Sequence, residues 1–467
     1  IVSGANDLEN DGSANQPAAH EEGEDGIVFN IFVDASMAGQ FDPDFAFDDE
    51  EIVQAGGTVP VGVRLRGGWF NTMPGSFFTR PPIESNNEYG STVARLPSFN
   101  NDTVDELIVS VPGHDNERGR IDVWIGQDLI DDDFYGDDAI RSLPAYACFP
   151  GNCNRGFVIP PVFVSVFGAD QGDRLGNGKP AGRFNQDGPV DMMGGAPGAD
   201  RPGPGGGGNL TDNGITYVFF TPAGGFGNVD LATQNIPRIE IHGSHDGDRF
   251  GEVHDAIGDV NGDDIEDIII ASPNFDDDVF GNPAAGFVGV IFGNRPITGE
   301  RVFFPEQIGT PELSGVRFSG ATINARAGAA VASAGDFNQD GFSDFLVASP
   351  GEVRVVGGEE RRGVAYLIFG GTHLINKSFN LSDVGSPQLP GIVFAGPHVV
   401  GTVDEAPLDN VGGIGDIDGD GFEDIGISAT LADFVNPESP DQRRNDAGEA
   451  WIVYGSNFGT NNLDEDR

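Results

Sequence analysis

Lysine is almost missing from this chain. Only Lys179 and Lys377 occur, and Lys plus Arg number 25 against 74 Asp plus Glu. The formal net charge is −49 over 467 residues. Nucleic-acid binding needs a basic surface, so that function class is excluded, and anionic membranes are disfavoured for the same reason. Two readings fit an acidic, lysine-poor surface: high external salt, which screens the repulsion, or a GC-rich genome encoding a surface-exposed protein.

Other absences narrow the class further. No apolar run approaches the ~20 residues that span a bilayer, so no membrane span is expected. The chain begins at Ile1 with neither Met nor a signal peptide, as expected of a mature form after cleavage or of a trimmed piece. Helical periodicity is missing throughout. The two cysteines, Cys148 and Cys153, flank the turn dipeptide Pro150-Gly151 in CFPGNC. Their spacing is not CxxC and no other Cys could complete a zinc shell, so a small disulfide loop in an oxidising, extracellular setting is expected.

Catalytic constellations are missing too. There is no HExxH and no GxSxG. Gly176-Asn177-Gly178-Lys179 resembles a phosphate loop, but Pro180 follows where Ser or Thr is needed. His242, His245 and His254 lie near Asp246 and Asp248, which suits a polar loop better than a metal site. With three Trp and six Tyr, aromatic platforms for sugars are scarce, and nothing selects a carboxylate pair for glycoside cleavage. The expectation is that the chain is not an enzyme.

What is present is one sentence written five times. Gly335 to Pro350 reads GDFNQDGFSDFLVASP. Asp336, Asn338, Asp340 and Asp344 take positions one, three, five and nine of a tight loop, and Phe342 at seven can offer its backbone carbonyl. Gly341 at six lets the chain turn sharply. This ring of hard oxygens suits Ca²⁺. It begins like an EF-hand, but position twelve is Val347 rather than Glu, and the apolar run after the loop reads as a buried strand. The other full copies place Asp259, Asn261, Asp263, Ile265 and Asp267, then Asp416, Asp418, Asp420, Phe422 and Asp424, at the same positions. Three or four carboxylates crowded without a cation would repel, so Ca²⁺ is expected in these three loops, pinning a hairpin.

Two copies are worn, starting at Ser98 and Arg183. In the second, Asn185, Asp187, Gly188 and Asp191 survive but position one is Arg183. A guanidinium there should exclude calcium and itself bridge Asp187 and Asp191. The loop starts are 85, 76, 77 and 80 residues apart. A strand signature follows each copy, for example GFVGVIFG at 286, GVAYLIFG at 363 and GEAWIVYG at 448, and a strand ending in Gly precedes most of them. A long fixed period with about four short strands points to an all-β propeller, one sheet per blade.

The unit resembles the FG-GAP repeat of integrin α-subunit propellers and of many bacterial surface proteins. The FG element is Phe250-Gly251, altered to Tyr89-Gly90 and Leu175-Gly176. The GAP element is Gly195-Ala196-Pro197, with Ala-Ser-Pro at 271 and 348. The likeness covers roughly residues 63 to 458. It implies a β-propeller of four-stranded blades: five are recognisable here, integrins have seven, and the length leaves room for six or seven. It also implies a calcium-binding, extracellular or cell-surface protein acting in adhesion or as a structural subunit of an extracellular assembly. Its partners would be a protein or glycan at the cell surface. A carbohydrate-binding or carbohydrate-cleaving propeller is the alternative, since one fold hosts both.

The expected domains are an acidic extension at 1–26, a strand-bearing segment at 27–60, and the propeller at 61–467. Residues 1–26 have a disordered composition and could serve self-assembly by lying on a neighbouring subunit or on the propeller itself. The last repeat ends without a fourth strand. VGVRLRG at 62 is expected to supply it and close the ring, or else residues 27–70 build an irregular sixth blade. Asp131 to Asp138 is an acidic insertion and Gly203 to Gly208 a flexible one.

Overall fold

The computed structural model describes residues 2–5, 27–31, 62–66, 88, 90–97, 105–125, 163–206, 208–222, 224–225, 227–276, 284–293, 302–396, 407–432, 434–435, 443–444 and 448–456. Cys148 and Cys153, the 131–138 insertion and most of the 1–26 extension lie outside them. The described chain is all-β, with few and short helical turns. Among the described residues no helix is long and apolar enough to cross a membrane.

The chain divides into two compact units, Ile1–Lys179 with Gly224–Ile236, and Pro180–Ala223 with Pro237–Arg467. The first holds the sheet of the first repeat. Its strands Val93–Leu96, Glu106–Val111, Arg120–Trp124 and Phe163–Phe167 form an antiparallel meander, and Val229–Asp230 adds a short parallel strand at the outer edge. A separate three-stranded sheet orders Val2–Ala5, Ile27–Ile31 and Gly62–Arg66. Within it Arg66 stands opposite Ile27. This departs from the expected ring closure: Gly62–Arg66 is paired with Ile27–Ile31, while Glu449–Val453 is paired only with Asp424–Ala429 among the described residues. The hydrophobic pattern identified the strand but not its partner, because the nearby IVFNI offered an antiparallel edge at low loop cost.

The other four repeats follow as successive sheets, and the second unit holds all of their strands except the start of the second repeat's first strand. The second repeat has Gly176–Gly182, Asp191–Ala196, Ile215–Phe219 and Arg238–His242, edged by Val302–Phe303. The third has Val253–Gly258, Asp267–Ser272, Phe287–Ile291 and Gly315–Ser319, edged by Lys377–Asn380. The fourth has Ala330–Gly335, Asp344–Val356, Glu359–Ile368 and Gly391–Ala395. The fifth has Asn410–Gly415, Asp424–Ala429 and Glu449–Val453.

In the first four repeats the second strand starts with six residues buried on both faces, while in the fifth Gly426 and Ser428 stay partly exposed. Side chains alternate across a strand. In the third repeat Ile268 and Ile270 point into a core shared with Met193, Val218, Ile239 and Ile241 of the second sheet. Their neighbours Ile269 and Ala271 join Phe345, Val347, Val364 and Tyr366 of the fourth. Leu346 and Ala348 in turn meet Ile425, Ile427 and Val411 of the fifth. A one-residue slip would exchange these faces, so the register is strongly specified. On the fifth sheet Ile452 and Tyr454 remain 53% exposed.

The fourth repeat has an extension the period did not announce. Its central hairpin runs past Ser349 to a turn at Gly357-Gly358, with φ of 65° and 90°. Two positive φ angles in a row match a two-residue hairpin turn, which Gly-Gly favours. Glu352 is buried at its base, accepting from the Tyr366 hydroxyl at 2.5 Å and from Arg354 Nε at 2.9 Å.

Candidate cation loops

Each full loop joins the first strand of its sheet to the second. The two strands shift register just before the loop, at Gly258, Gly335 and Gly415. These glycines have φ of 73°, 64° and 73°. The left-handed turn aims the following Asp back over its own loop, and a Cβ at Gly335 would fall 2.6 Å from Glu423 Cγ. The need for Gly before position one was visible in all three copies.

The position-one carboxylate organises the turn. Asp416 Oδ1 accepts the N–H of Gly419 at 2.7 Å and of Asp420 at 3.1 Å, and Oδ2 accepts Gly421 at 2.9 Å. Asp336 accepts Asp340 and Gly341, both at 3.0 Å. Asp259 accepts Gly262 and Asp264, both at 2.7 Å. In that loop position six is Asp264, held at φ 64°, a region Asp tolerates better than most residues. The position-five carboxylates Asp263, Asp340 and Asp420 accept the N–H groups of Ile265 at 3.0 Å, Phe342 at 3.0 Å and Phe422 at 2.9 Å. This fixes the residues expected to offer a carbonyl.

Position nine is built differently. Asp267, Asp344 and Asp424 are fully buried. One oxygen of each accepts a loop N–H: Val260 at 2.9 Å, Phe337 at 3.0 Å, Ile417 at 2.9 Å. The other accepts an N–H just past the third strand: Gly293 at 2.8 Å, Gly370 at 2.9 Å, Gly455 at 2.8 Å. The residue thus clips the loop to the far side of its sheet. The glycine is required because a Cβ there would collide with the carbonyl of the residue before position nine, at Glu266, Ser343 and Glu423. The repeated Gly of VIFG, LIFG and IVYG was the sequence signal for this clip. Burial pushes the carboxyls of Asp267 and Asp344 up to about 8, and the neighbouring loop carboxylates push the same way.

In the Asp416 loop the structure brings positions one, three and five together on an exposed turn. The carboxylate oxygens of Asp416, Asp418 and Asp420 lie within 4.8 Å of one another. In the other two loops an amide holds the middle place, with Asn338 Nδ2 donating to Asp340 Oδ2 at 3.1 Å and Asn261 Nδ2 to Asp267 Oδ2 at 3.3 Å. All donors are hard oxygens or amides that can present one. The residues fit a hard divalent cation, which would also relieve the crowding of like charges.

The worn loop corrects one expectation. Arg183 is exposed, and among the described residues no ion pair joins it to Asp187 or Asp191. Its backbone N–H donates to Glu266. The carboxylates are held locally instead. Asn185 Nδ2 donates to Asp187 at 2.9 Å, and Asp191 accepts Asn185 N–H at 3.2 Å and Thr221 N–H at 2.8 Å. Short backbone donors outcompete a long side chain that must give up rotamer freedom. Of the loop at Ser98, most lies outside the described residues.

Two weaker sequence features resolve as structure. Gly176–Gly182 is a strand, and Gly178 lies against Ile108 and Ile121, where a Cβ would sit 2.6 Å from Ile108 Cγ2. It is no phosphate loop. His242 is bonded to Glu240 at 2.8 Å and His245 stands 3.5 Å from Asp248. Among the described residues no metal-binding group forms there.

Comparison with known proteins agrees with this geometry. Residues 327–368, which span the fourth repeat's loop and central hairpin, match the family described as FG-GAP repeat. Integrin alpha-V of Gallus gallus is 30% identical over 176 residues, 37% of this chain and 14% of the relative. Integrin alpha-PS2 of Drosophila melanogaster is 29% identical over 224 residues, 46% and 14%. Integrin alpha-2 of Mus musculus is 26% identical over 225 residues, 47% and 17%. The chain therefore spans less than a fifth of the length of these relatives. Residues 327–368 carry an FG-GAP repeat, and the chain is similar in sequence to integrin alpha subunits.

Proposed function

We propose that this chain is a calcium-stabilised FG-GAP propeller, outside the cell or on its surface, that acts in adhesion or as a structural subunit of an extracellular assembly. The observation that carries the reading is the repetition of one donor set on equivalent turns of three successive sheets, with Asp416, Asp418 and Asp420 converging within 4.8 Å. The ligands would be Asp259, Asn261, Asp263 and Asp267, with their counterparts in the other loops, and the carbonyls of Ile265, Phe342 and Phe422. A bound Ca²⁺ would supply positive charge that holds the crowded carboxylates together. Exposed loops of this kind suit the millimolar calcium found outside cells. The similarity to integrin α subunits supports adhesion to a protein or glycan partner, and five blades remain part of this reading.

The test uses beads coated with the full chain. They should adhere to cells of the source organism, or to one another, in millimolar Ca²⁺ and detach in chelator. Adhesion to neither, or adhesion indifferent to chelator, would refute the proposal.

A further inference from the structure

Resting on that cation reading, we infer that the loops at Asp259 and Asp336 form one coupled binding unit, so that filling either raises the affinity of the other. Three connections carry this. The first is a single peptide group. Its carbonyl belongs to Phe342, the position-seven donor of the Asp336 loop. Its N–H belongs to Ser343 and donates to the carbonyl of Asp259 at 2.8 Å. Asp259 supplies the position-one carboxylate of the other loop. A cation drawing on the carbonyl polarises the whole peptide and strengthens the N–H as a donor.

The second connection is a hydrogen-bonded line between the two position-nine residues. Asp344 accepts Gly370 N–H at 2.9 Å. The next N–H, of Gly371, donates to the Val260 carbonyl at 2.7 Å. Val260 N–H then donates to Asp267 at 2.9 Å. The third is packing. The Phe342 ring lies directly on Gly262, between positions three and five of the Asp259 loop, where φ is 82° and a Cβ would strike the ring. Ordering either loop therefore fixes backbone that the other must also fix, and the second cation meets a site whose ordering cost is already met.

The experiment is Ca²⁺ calorimetry on the full chain with the third loop silenced by Asp416→Asn and Asp420→Asn. Adding Asp336→Asn and Asp340→Asn should weaken binding at the Asp259 loop by about fivefold or more, the lower end of ordinary coupling. Silencing Asp259 and Asp263 instead should weaken the Asp336 loop by the same factor, because linkage is reciprocal. A remaining site with unchanged or tighter affinity overturns the coupling while leaving the cation reading intact. An unaltered chain that binds no Ca²⁺ overturns both. Should the Asn variants fail to fold, Phe342→Ala in the otherwise unaltered chain decides. It keeps every donor, so a less steep isotherm supports the coupling and one identical to the parent overturns it.

Discussion

Asp191 offers the cleanest test of the position-nine clip, because its loop carries Arg183 where the full copies carry Asp. The side chain is fully buried and each oxygen accepts one backbone N–H, from Asn185 at 3.2 Å and Thr221 at 2.8 Å. Asp191→Asn keeps the shape and one acceptor but turns an NH₂ toward the other donor. One buried N–H is left without a partner, which costs about 1–3 kcal/mol. A second effect runs the other way with pH. Burial raises the Asp191 carboxyl to about 7, with Asp187 pushing in the same direction and the two N–H donors opposing. The folded state thus binds this proton more tightly than the unfolded chain does. Stability from this group is full below the unfolded value of about 4 and falls as pH rises toward about 7, by about 4 kcal/mol at most. Asn cannot ionise and escapes that loss. The assay is thermal unfolding of parent and variant at pH 5 and pH 8, each in chelator. At pH 5 the variant should melt lower by several degrees, taking about 2–4 °C per kcal/mol for a unit of this size. At pH 8 the gap should close or reverse. A gap that is absent at both values, or that widens with pH, refutes the clip as described.

Chelation should lower the melting temperature of the parent chain, since Ca²⁺ at a hundredfold excess over Kd adds about 2.7 kcal/mol per site; identical melts with and without chelator would count against occupied loops. Arg183→Asp restores the missing carboxylate beside Asn185, Asp187 and Asp191, so calorimetry should count one more Ca²⁺ per chain than in the parent, and an unchanged count refutes the fit. Tyr366→Phe removes the hydroxyl that Glu352 accepts at 2.5 Å and should destabilise by about 1.5–3 kcal/mol in denaturant titration. No change in midpoint would mean that Arg354 alone satisfies the carboxylate.

Much of the fold was legible because it repeats. IIIAS and FLVAS each announce a strand buried on both faces, and the structure uses alternate residues of each for two different cores, while GISAT buries one face only. The loops were legible from the Asp spacing. What the sequence hid were the partners. Val229–Asp230, Val302–Phe303 and Lys377–Asn380 add parallel edges to earlier sheets, and such short strands carry no periodicity of their own. VGVRLRG matched the strand that precedes each FG element, but matching a pattern does not fix which edge a strand joins. Gly357-Gly358 between VRVV and EERR was a hairpin signal that the eighty-residue period masked.

Arg183 shows where charge counting stops. Opposite charges within one short loop suggested an ion pair, yet Asp187 and Asp191 are held by Asn185 and backbone N–H groups. The position-nine bonds recur in the loops expected to bind calcium, where Asp267, Asp344 and Asp424 each accept a loop N–H with one oxygen and an N–H past the third strand with the other. The shape of the loop is therefore encoded by hydrogen bonds that need no cation. A cation would tighten a turn that these bonds already outline and relieve repulsion among its carboxylates, so its removal should loosen the loops and lower stability without unmaking the sheets. That separates these loops from small metal-dependent domains, in which binding and folding are one event. It also explains how a repeat can lose position one, as at Arg183, and still supply a sheet to the array.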